Sequence, residues 1–379
     1  MLMILFDIKA LYMLHFRRNI EHKEAGMGFK KYERRPTFLD MELRKVMGQC
    51  RTQRFLSEVD SAIDWKPIGE TITSLYPVGH SVYGNRAYPP LMLLKALLIQ
   101  KWFGIASDPE LENQINDRFS FKTFIGLPLS DPSPDHSILS RFRTRIGKGL
   151  LEDVHHVLLL QFQGKGFSIE SGMAVDARLV KSASKPLGKD KLKERKEEKE
   201  RGTTKPPKFQ RDLESDWTVR KGEPIFGMKE HAAIDVESGL VLSTHLSRAS
   251  EHDTIYFPYI VARGLHGKDV PGKVYADKGY SSETNRDFLN LNEMADGIMR
   301  KGQVNVSLTK FEIERNKGIS KIRYVIEQYF GLTEMYQGAG KARFTTLVKE
   351  GWNRLCQVMA FNIKRVILSQ RRRRTLSAA

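Results

Sequence analysis

The sequence predicts an α/β protein in which an all-helical amino-terminal domain precedes a mixed five-stranded sheet with flanking helices. From about residue 40 to 165 the apolar residues follow helical spacing, between Pro or Ser/Asp start signals and Gly stop signals. After Gly166 the spacing shortens, and runs rich in Val, Ile, Leu and Ala alternate with turn residues. Three successive strands followed by alternating helices and strands indicate a mixed sheet covered by helices.

Three segments with the same start and stop signals define the helical domain, residues 40–165. They are YPPLMLLKALLIQKWFG, ASDPELENQINDRFSFKTFIG and SPDHSILSRFRTRIGKG. The third carries Arg141, Arg143 and Arg145 among apolar residues. Such a helix can contact DNA phosphates, or it can be a packed helix with a solvated basic face. Both interpretations remain open at this point.

The second domain, residues 166–368, carries the five predicted strands. They lie in SGMAVDARLV, IFGMKEHAAID, GLVLSTHL, KVYADKGY and DGIMRKG. Residues 189–201, between the first two strands, are all charged except Leu192. A segment of this composition buries little apolar surface, so we expect a solvated helix or a disordered loop inside an insertion of about 182–222.

The composition favours a polyanionic partner. Lys and Arg number 62 against 45 Asp and Glu, for a net charge of +17, and nucleic acid is the leading candidate. The two distant cysteines, Cys50 and Cys356, exclude a disulfide framework and a Cys-based zinc site, which is typical of a reducing cytosol.

The two termini are expected to lie outside both domains. Residues 1–39 are interpreted as an extension, with the natural start at Met27, because Asp7 and Lys9 interrupt the first apolar run and basic residues follow it. That pattern does not suit a signal peptide or a membrane span. Residues 369–379 form a basic tail, whose RRRR run is expected to attract phosphates without reading bases.

Three carboxylates stand out in the second domain. Asp176 lies in the apolar first strand, Asp277 ends the fourth strand, and Glu327 lies on the last predicted helix, one turn after Arg323. Oxygen ligands of this kind suit Mg²⁺ and Mn²⁺, and two such ions can activate an attacking oxygen and stabilise a leaving oxygen at phosphorus. Taken singly, each residue also has a structural interpretation: a core ion pair for Asp176, a cap for Asp277, and a pair with Arg323 for Glu327.

Other polar residues compete for these roles. Asp235 also ends an apolar strand, but its DVESG context is typical of a hairpin turn. His231 and Lys229 lie on a predicted strand, where a histidine is more often structural than catalytic. We therefore favour Asp277 over Asp235 as the second acidic residue.

Several of these segments, in one order, resemble the DDE transposases of bacterial insertion sequences, specifically the IS-four and IS-five type. They are AVDARLV, FGMKEHAAID, ASEHD, YADKGY and RYVIEQYFG. The upstream YPPLMLLKALLIQKWFGIASDPELENQI resembles the helical amino-terminal domain of those proteins. The resemblance covers roughly residues 40–368.

The resemblance implies an RNase H-like catalytic fold in which Asp176, Asp277 and Glu327 bind two Mg²⁺ ions, with Mn²⁺ as a substitute. It implies binding to terminal inverted repeats, cleavage by activated water, and attack of the released 3′-hydroxyl on target DNA. A homodimer or larger assembly on double-stranded DNA is expected, with no membrane association. The location implied is the cytoplasm, with the nucleoid of a bacterium or archaeon.

The region around Glu327 departs from the family pattern of Tyr, Arg, Glu and Lys at fixed intervals. Arg323 matches, but Ser320 and Glu334 stand where the Tyr and the Lys are expected. The phosphate-contacting lysine is therefore not identified. The candidates for contacts with DNA at this site, in addition to Arg323, are Lys278, Arg300, Lys301 and Lys341.

Two alternative functions remain open from the sequence. A related metal-dependent nuclease or resolvase would use the same carboxylates without strand transfer. An inactive, transposase-derived DNA-binding regulator would keep the fold without the chemistry, although a pure binder has no need of three carboxylates facing a polyanion.

Overall fold

The computed structural model describes residues 28–32, 48, 50–79, 81, 83–167, 172–202, 211–265, 272–302 and 306–377. The chain divides into two units: Met1–Gln161 with Arg373–Ala379, and Phe162–Arg372. The expected extension, 1–39, lies outside the described residues except at 28–32, and so does the proposed start at Met27.

The first unit is helical over the described residues. Its helices are α1 (Arg51–Ala62), α2 (Trp65–Leu75), α3 (Pro90–Trp102), α4 (Asp108–Asp117), α5 (Phe119–Ile125) and α6 (His136–Gln163). α3 has Pro90 in its first turn and is buried on all sides from Met92 to Lys101, which makes it the central helix of the unit. α6 is two helical stretches joined at Gly147, whose φ of 67° is a backbone conformation that favours glycine.

A six-stranded mixed sheet forms the centre of the second unit. The strands are β1 (Met173–Lys181), β2 (Asp216–Arg220), β3 (Glu223–Asp235), β4 (Val241–Arg248), β5 (Lys273–Ala276) and β6 (Ala295–Ile298). β4, β3, β1, β5 and β6 lie side by side, and β2 pairs with the first part of β3. β3 is antiparallel to its neighbours, whereas β1, β5 and β6 are parallel.

Five of these strands match the predicted ones, and β2 is an addition. β2 lies inside the charged insertion and is half-exposed or exposed along its whole length. Its five residues, DWTVR, alternate polar and apolar, but the alternation is short and the surrounding charged residues obscured it. Trp217 holds it in place: its indole packs on Phe226 with ring centroids 5.3 Å apart, and its N–H donates to the Leu187 carbonyl at 3.2 Å.

The helices of this unit are α7 (Lys189–Glu200), α8 (Asp253–Gly264), α9 (Glu283–Leu291), α10 (Lys310–Gln337) and α11 (Leu347–Ser377). The last four cover both faces of the sheet. Met173 and Val175 pack with α8 and α9, while Ala174 between them packs with α10 and α11. These three layers confirm the predicted fold class and are consistent with an RNase H-like fold.

The charged segment in the insertion forms a helix, α7, with Leu192 as its buried residue. Of the two expectations for this segment, the solvated helix is therefore correct for the part of the chain that the structure describes. Within the same described ranges, no helix combines the length and the apolar character needed to cross a membrane.

Candidate active site

Asp176 and Asp277 occupy aligned positions on neighbouring parallel strands. The register of β1 and β5 pairs Val175 with Ala276, and each aspartate is the next residue on its own chain segment. Neighbouring strands lie about 4.8 Å apart, so the two Cα atoms are close. Because side chains alternate along a strand, Asp176 lies on the same face as Ala174, which is the face covered by α10.

The Asp176 carboxylate already pairs with a cation of the protein. One Nη of Arg323, on α10, donates to its Oδ2 at 2.6 Å, and the Ala177 N–H donates to its Oδ1 at 2.8 Å. Burial nevertheless raises the pKa of Asp176 to about 6, and the Asp277 charge adds to the shift while Arg323 opposes it. The side chain keeps 20% of its surface exposed, so an added ligand can reach it.

Asp277 also has the structural role that a strand-end aspartate commonly takes. Its Oδ1 accepts the Gly279 N–H at 2.6 Å and caps the short 3₁₀ turn Lys278–Tyr280. A Cβ on residue 279 would lie 2.8 Å from that oxygen, so glycine is required for the carboxylate to hold this position. The cap fixes the carboxylate at the end of β5, beside Asp176.

Glu327, the third predicted acidic residue, lies on α10. It is exposed on α10, one turn after Arg323, and it is Arg323 that reaches Asp176 from this helix. Within the described ranges, the three acidic or histidine ligand atoms that lie within 4.8 Å of one another belong instead to Glu112, Asp135 and His136 of the helical unit. The structure thus aligns Asp176 with Asp277, and the ligand atoms of Asp176, Asp277 and Glu327 do not all lie within 4.8 Å of one another.

Comparison with known protein families decides the identity. Residues 168–363, more than half of the chain, match the family model described as Transposase DDE domain. The chain belongs to this transposase family. Residues 45–145 match a second model, described as Transposase domain (DUF772), and no solved structure matches the chain. The resemblance to insertion-sequence DDE transposases is therefore confirmed, and the protein is an enzyme that acts on DNA with divalent metal.

The aspartate pair of this transposase fits a divalent cation. The donors are hard carboxylate oxygens, which Mg²⁺ and Mn²⁺ prefer, and Asp176 already stabilises a positive charge. Two buried hydrogen-bond donors close to the pair, the Tyr280 hydroxyl and Arg323 Nε, have no acceptor among the described residues. Buried donors of this kind indicate that further oxygen atoms belong in the site.

The basic residues expected to contact DNA differ in their exposure. Five are exposed: Arg141, Arg145, Lys278, Lys301 and Lys341. Arg300 is partly exposed and lies 3.5 Å from the Asp296 carboxylate.

Arg143 and Arg323 are buried. An Nη of Arg143 donates to Asp108 Oδ1 at 2.7 Å, so its guanidinium serves inside the helical unit and is not presented to a ligand. Of the two interpretations of the basic helix, the packed one therefore describes Arg143, whereas Arg141 and Arg145 are exposed.

A buried ionic network that the sequence did not reveal positions α10 over the sheet. Glu230 of β3 is fully buried, and its Oε2 accepts from Arg178 Nη2 at 2.7 Å while its Oε1 accepts from the Tyr329 hydroxyl at 2.8 Å. Burial alone would raise the pKa of Glu230, but Arg178 and Arg354 outweigh it and hold the pKa below its ordinary value. The lone glutamate in the apolar run FGMKEHAAID was the available signal.

Asp235 lies outside the site. It pairs in register with Met173, whereas Asp176 pairs with Ala232, so it sits three residues further along β3. Its Oδ2 accepts both the N–H and the hydroxyl of Ser238 at 2.6 Å. The turn that its sequence context indicates is thus the role that it performs.

His231 has a structural role, and its buried position makes the stability of the fold depend on pH. Burial, with the charge of Lys229, lowers its pKa to about 3, and its Nε2 lies 2.9 Å from the Ser247 hydroxyl. Its folded pKa is below the unfolded value of about 6.5, so the stability it supports is complete above that value and falls as the pH drops toward 3. Between pH 7.5 and pH 5 the loss should be about 2 kcal/mol.

His231→Gln should flatten this dependence. The measurement is urea unfolding of the parent and the variant at both pH values, and parallel pH dependences would contradict the assignment.

Proposed function

We propose that this transposase binds the terminal inverted repeats of an insertion sequence of the IS-four or IS-five type and catalyses DNA cleavage and strand transfer. The catalytic residues proposed are Asp176, Asp277 and Glu327. The observation that carries this proposal is the alignment of Asp176 and Asp277 on neighbouring parallel strands under α10, in a protein with a net charge of +17. An acidic centre in a basic protein suits chemistry on a polyanion.

The cofactor proposed is Mg²⁺, two ions per site, with Mn²⁺ as a substitute. Asp176 and Asp277 would hold them from the sheet, and Glu327 from α10. When bound, the ions would supply the activation of the attacking oxygen and the stabilisation of the leaving oxygen at phosphorus.

The protein's own residues prepare that site. Arg323 favours the ionised form of Asp176 against the effect of burial, which keeps the carboxylate available to a cation near neutral pH. The Gly279 N–H fixes one oxygen of Asp277. The buried network around Glu230 holds α10, and with it Arg323 and Glu327, against β1 and β3.

The helical domain, residues 40–165, is proposed to bind DNA ends or to form dimer contacts, and residues 166–368 to form the catalytic domain. A homodimer or larger assembly would hold two element ends together. We place the enzyme on the nucleoid of a bacterial or archaeal cell. Residues 369–379 would add nonspecific attraction to phosphates. The surface DNA contacts proposed are Arg141, Arg145, Lys278, Arg300, Lys301 and Lys341.

Arg141 and Arg145 should act through phosphates. Replacing both with alanine is expected to weaken binding to every DNA sequence and to lower the slope of log affinity against log salt by about 2, since each phosphate contact contributes nearly one unit. Affinity is measured by fluorescence anisotropy between 50 and 300 mM KCl.

Arg143→Ala is the contrasting variant. Because Arg143 is buried against Asp108, its loss should lower thermal stability without reducing the salt slope of the protein that remains folded. An unchanged slope in the Arg141, Arg145 double variant would remove these two residues from the contact set.

The experiment that tests the function is strand cleavage and joining on labelled DNA carrying the end of the element that encodes the chain. Reactions contain Mg²⁺, Mn²⁺ or EDTA. Metal-dependent cutting followed by joining supports the proposal, whereas cutting without joining would identify a nuclease or resolvase. Binding without any cutting would identify a DNA-binding regulator.

A further inference from the structure

The hydroxyl of Tyr280 is a buried polar group that the fold does not use. Tyr280 ends the 3₁₀ turn that follows Asp277 and is 1% exposed, with its ring 5.6 Å from that of Phe257. Its oxygen has no hydrogen-bond partner among the described residues. Phenylalanine would fill the same space without burying an unpaired hydroxyl, which costs free energy. Packing alone therefore does not explain a tyrosine here.

The surroundings of this hydroxyl are acidic. Burial, together with the charges of Asp176, Asp253 and Asp277, raises the pKa of Tyr280 well above its ordinary value, with Arg323 opposing. The phenol is therefore protonated and can donate a hydrogen bond. Asp253 is paired with Lys229 Nζ at 2.8 Å, whereas Asp176 and Asp277 are the two proposed metal ligands.

A second unpaired donor lies close to the same carboxylates. Arg323 donates through one Nη to Asp176 Oδ2, but its Nε is buried without an acceptor among the described residues. Two buried donors beside one pair of carboxylates both lack an oxygen to bind. A loaded metal site would supply such oxygens, from the carboxylates that hold the ions and from bound water.

We propose that Tyr280 is a positioning residue of the metal site, whose hydroxyl donates a hydrogen bond to an oxygen of that site, either of the Asp176 or Asp277 carboxylate or of a water held between them. The inference rests on the proposed function. It assigns to the tyrosine the role of an outer-sphere partner, which orients the atoms that bind the metal and does not bind the metal itself.

The test compares Tyr280→Phe with Tyr256→Phe in the full chain. Tyr256 is the matched control because its hydroxyl has a protein partner, Glu251 Oε2, at 2.7 Å. The probe is Mn²⁺ alone, and its affinity is measured by isothermal titration calorimetry. The Asp277→Ala protein, measured in the same way, gives the binding that does not depend on the proposed site. Loss of an outer-sphere partner weakens metal binding by about 10- to 100-fold, so this weakening is expected for Tyr280→Phe and unchanged affinity for Tyr256→Phe.

Thermal unfolding with and without metal supplies an independent readout. In EDTA, Tyr280→Phe should unfold at the same temperature as the parent or higher, because the hydroxyl it removes has no hydrogen-bond partner in the described part of the chain. With saturating Mn²⁺ the parent should gain more stability than the variant. Tyr256→Phe should lose the same amount in both conditions.

Three results would overturn the inference. Parent affinity for Mn²⁺ in Tyr280→Phe would show that the phenol only packs. Equal destabilisation of that variant in EDTA and in Mn²⁺ would show that the hydroxyl has a partner within the metal-free protein. If the parent binds no more Mn²⁺ than Asp277→Ala, the proposed metal site itself fails, and the role of Tyr280 fails with it.

Discussion

Asp277→Ala is expected to lower metal-dependent strand cleavage by about 10³-fold or more while leaving DNA affinity nearly unchanged, because metal stabilisation of the transition state is worth several kcal/mol and each 1.4 kcal/mol is tenfold in rate. The carboxylate stands beside Asp176 at the end of β5, and alanine offers no oxygen at that position. The measurement is single-turnover cleavage of labelled element-end DNA in Mg²⁺, with binding followed separately in EDTA.

Asp235→Asn is the matched control for this experiment. Asp235 also ends a strand, but its carboxylate holds the Ser238 turn and lies away from Asp176. Its replacement should leave the cleavage rate within a few-fold of the parent. Loss of cleavage in Asp235→Asn but not in Asp277→Ala would exchange the roles of the two residues. Loss of DNA binding in Asp277→Ala would instead indicate a folding defect, which thermal unfolding would detect.

Glu230→Gln is expected to destabilise the second unit by about 3–5 kcal/mol, because it leaves the buried Arg178 guanidinium without its paired carboxylate. It also removes one of the two buried carboxylates beside Arg354, which keeps Glu350. For a unit of this size the unfolding temperature should fall by roughly 10 °C. Differential scanning calorimetry in EDTA measures the effect apart from any metal. Cleavage should decline as well, since the network holds the helix that carries Glu327.

Two further variants serve as controls for the stability change in Glu230→Gln. Glu223→Gln makes the same change on the same strand at an exposed position, where substitutions stay within about 0.5 kcal/mol. Tyr329→Phe removes one hydrogen bond to the Glu230 carboxylate and should cost about 1.5–3 kcal/mol. Equal unfolding temperatures for Glu230→Gln and Glu223→Gln would contradict the role of the buried network.

The sequence predicted the fold because its strands are buried and its helices carry strong start and stop signals. β5 and β6 are only four residues long, yet turn residues bound each of them and reveal it. β2 was missed although its residues, DWTVR, alternate polar and apolar and only Lys221 and Gly222 separate it from β3. The alternation covers five residues inside a segment dominated by charge, which obscured the hairpin.

The acidic residues of the candidate site could be predicted from the sequence, but the partners of the charged side chains could not. Asp176 and Asp277 could be selected as acidic residues in apolar strands, and the register places them side by side. The sequence paired Arg323 with Glu327 by helical spacing, whereas the structure pairs it with Asp176, which is 147 positions away in the chain. Arg143 looked like a surface residue because its partner, Asp108, lies on another helix.

The helix α10 carries both Tyr329, which anchors it to the sheet, and the site residues Arg323 and Glu327. This arrangement restricts insertions and deletions within the helix. Tyr329, anchored to Glu230, sets the rotation of the helix about its axis, and Glu327 lies only two residues before it. One residue inserted between them would turn the Glu327 carboxylate by about 100° relative to the anchor. Sequences that vary freely in the insertion around α7 should therefore keep the Arg323 to Tyr329 interval at constant length.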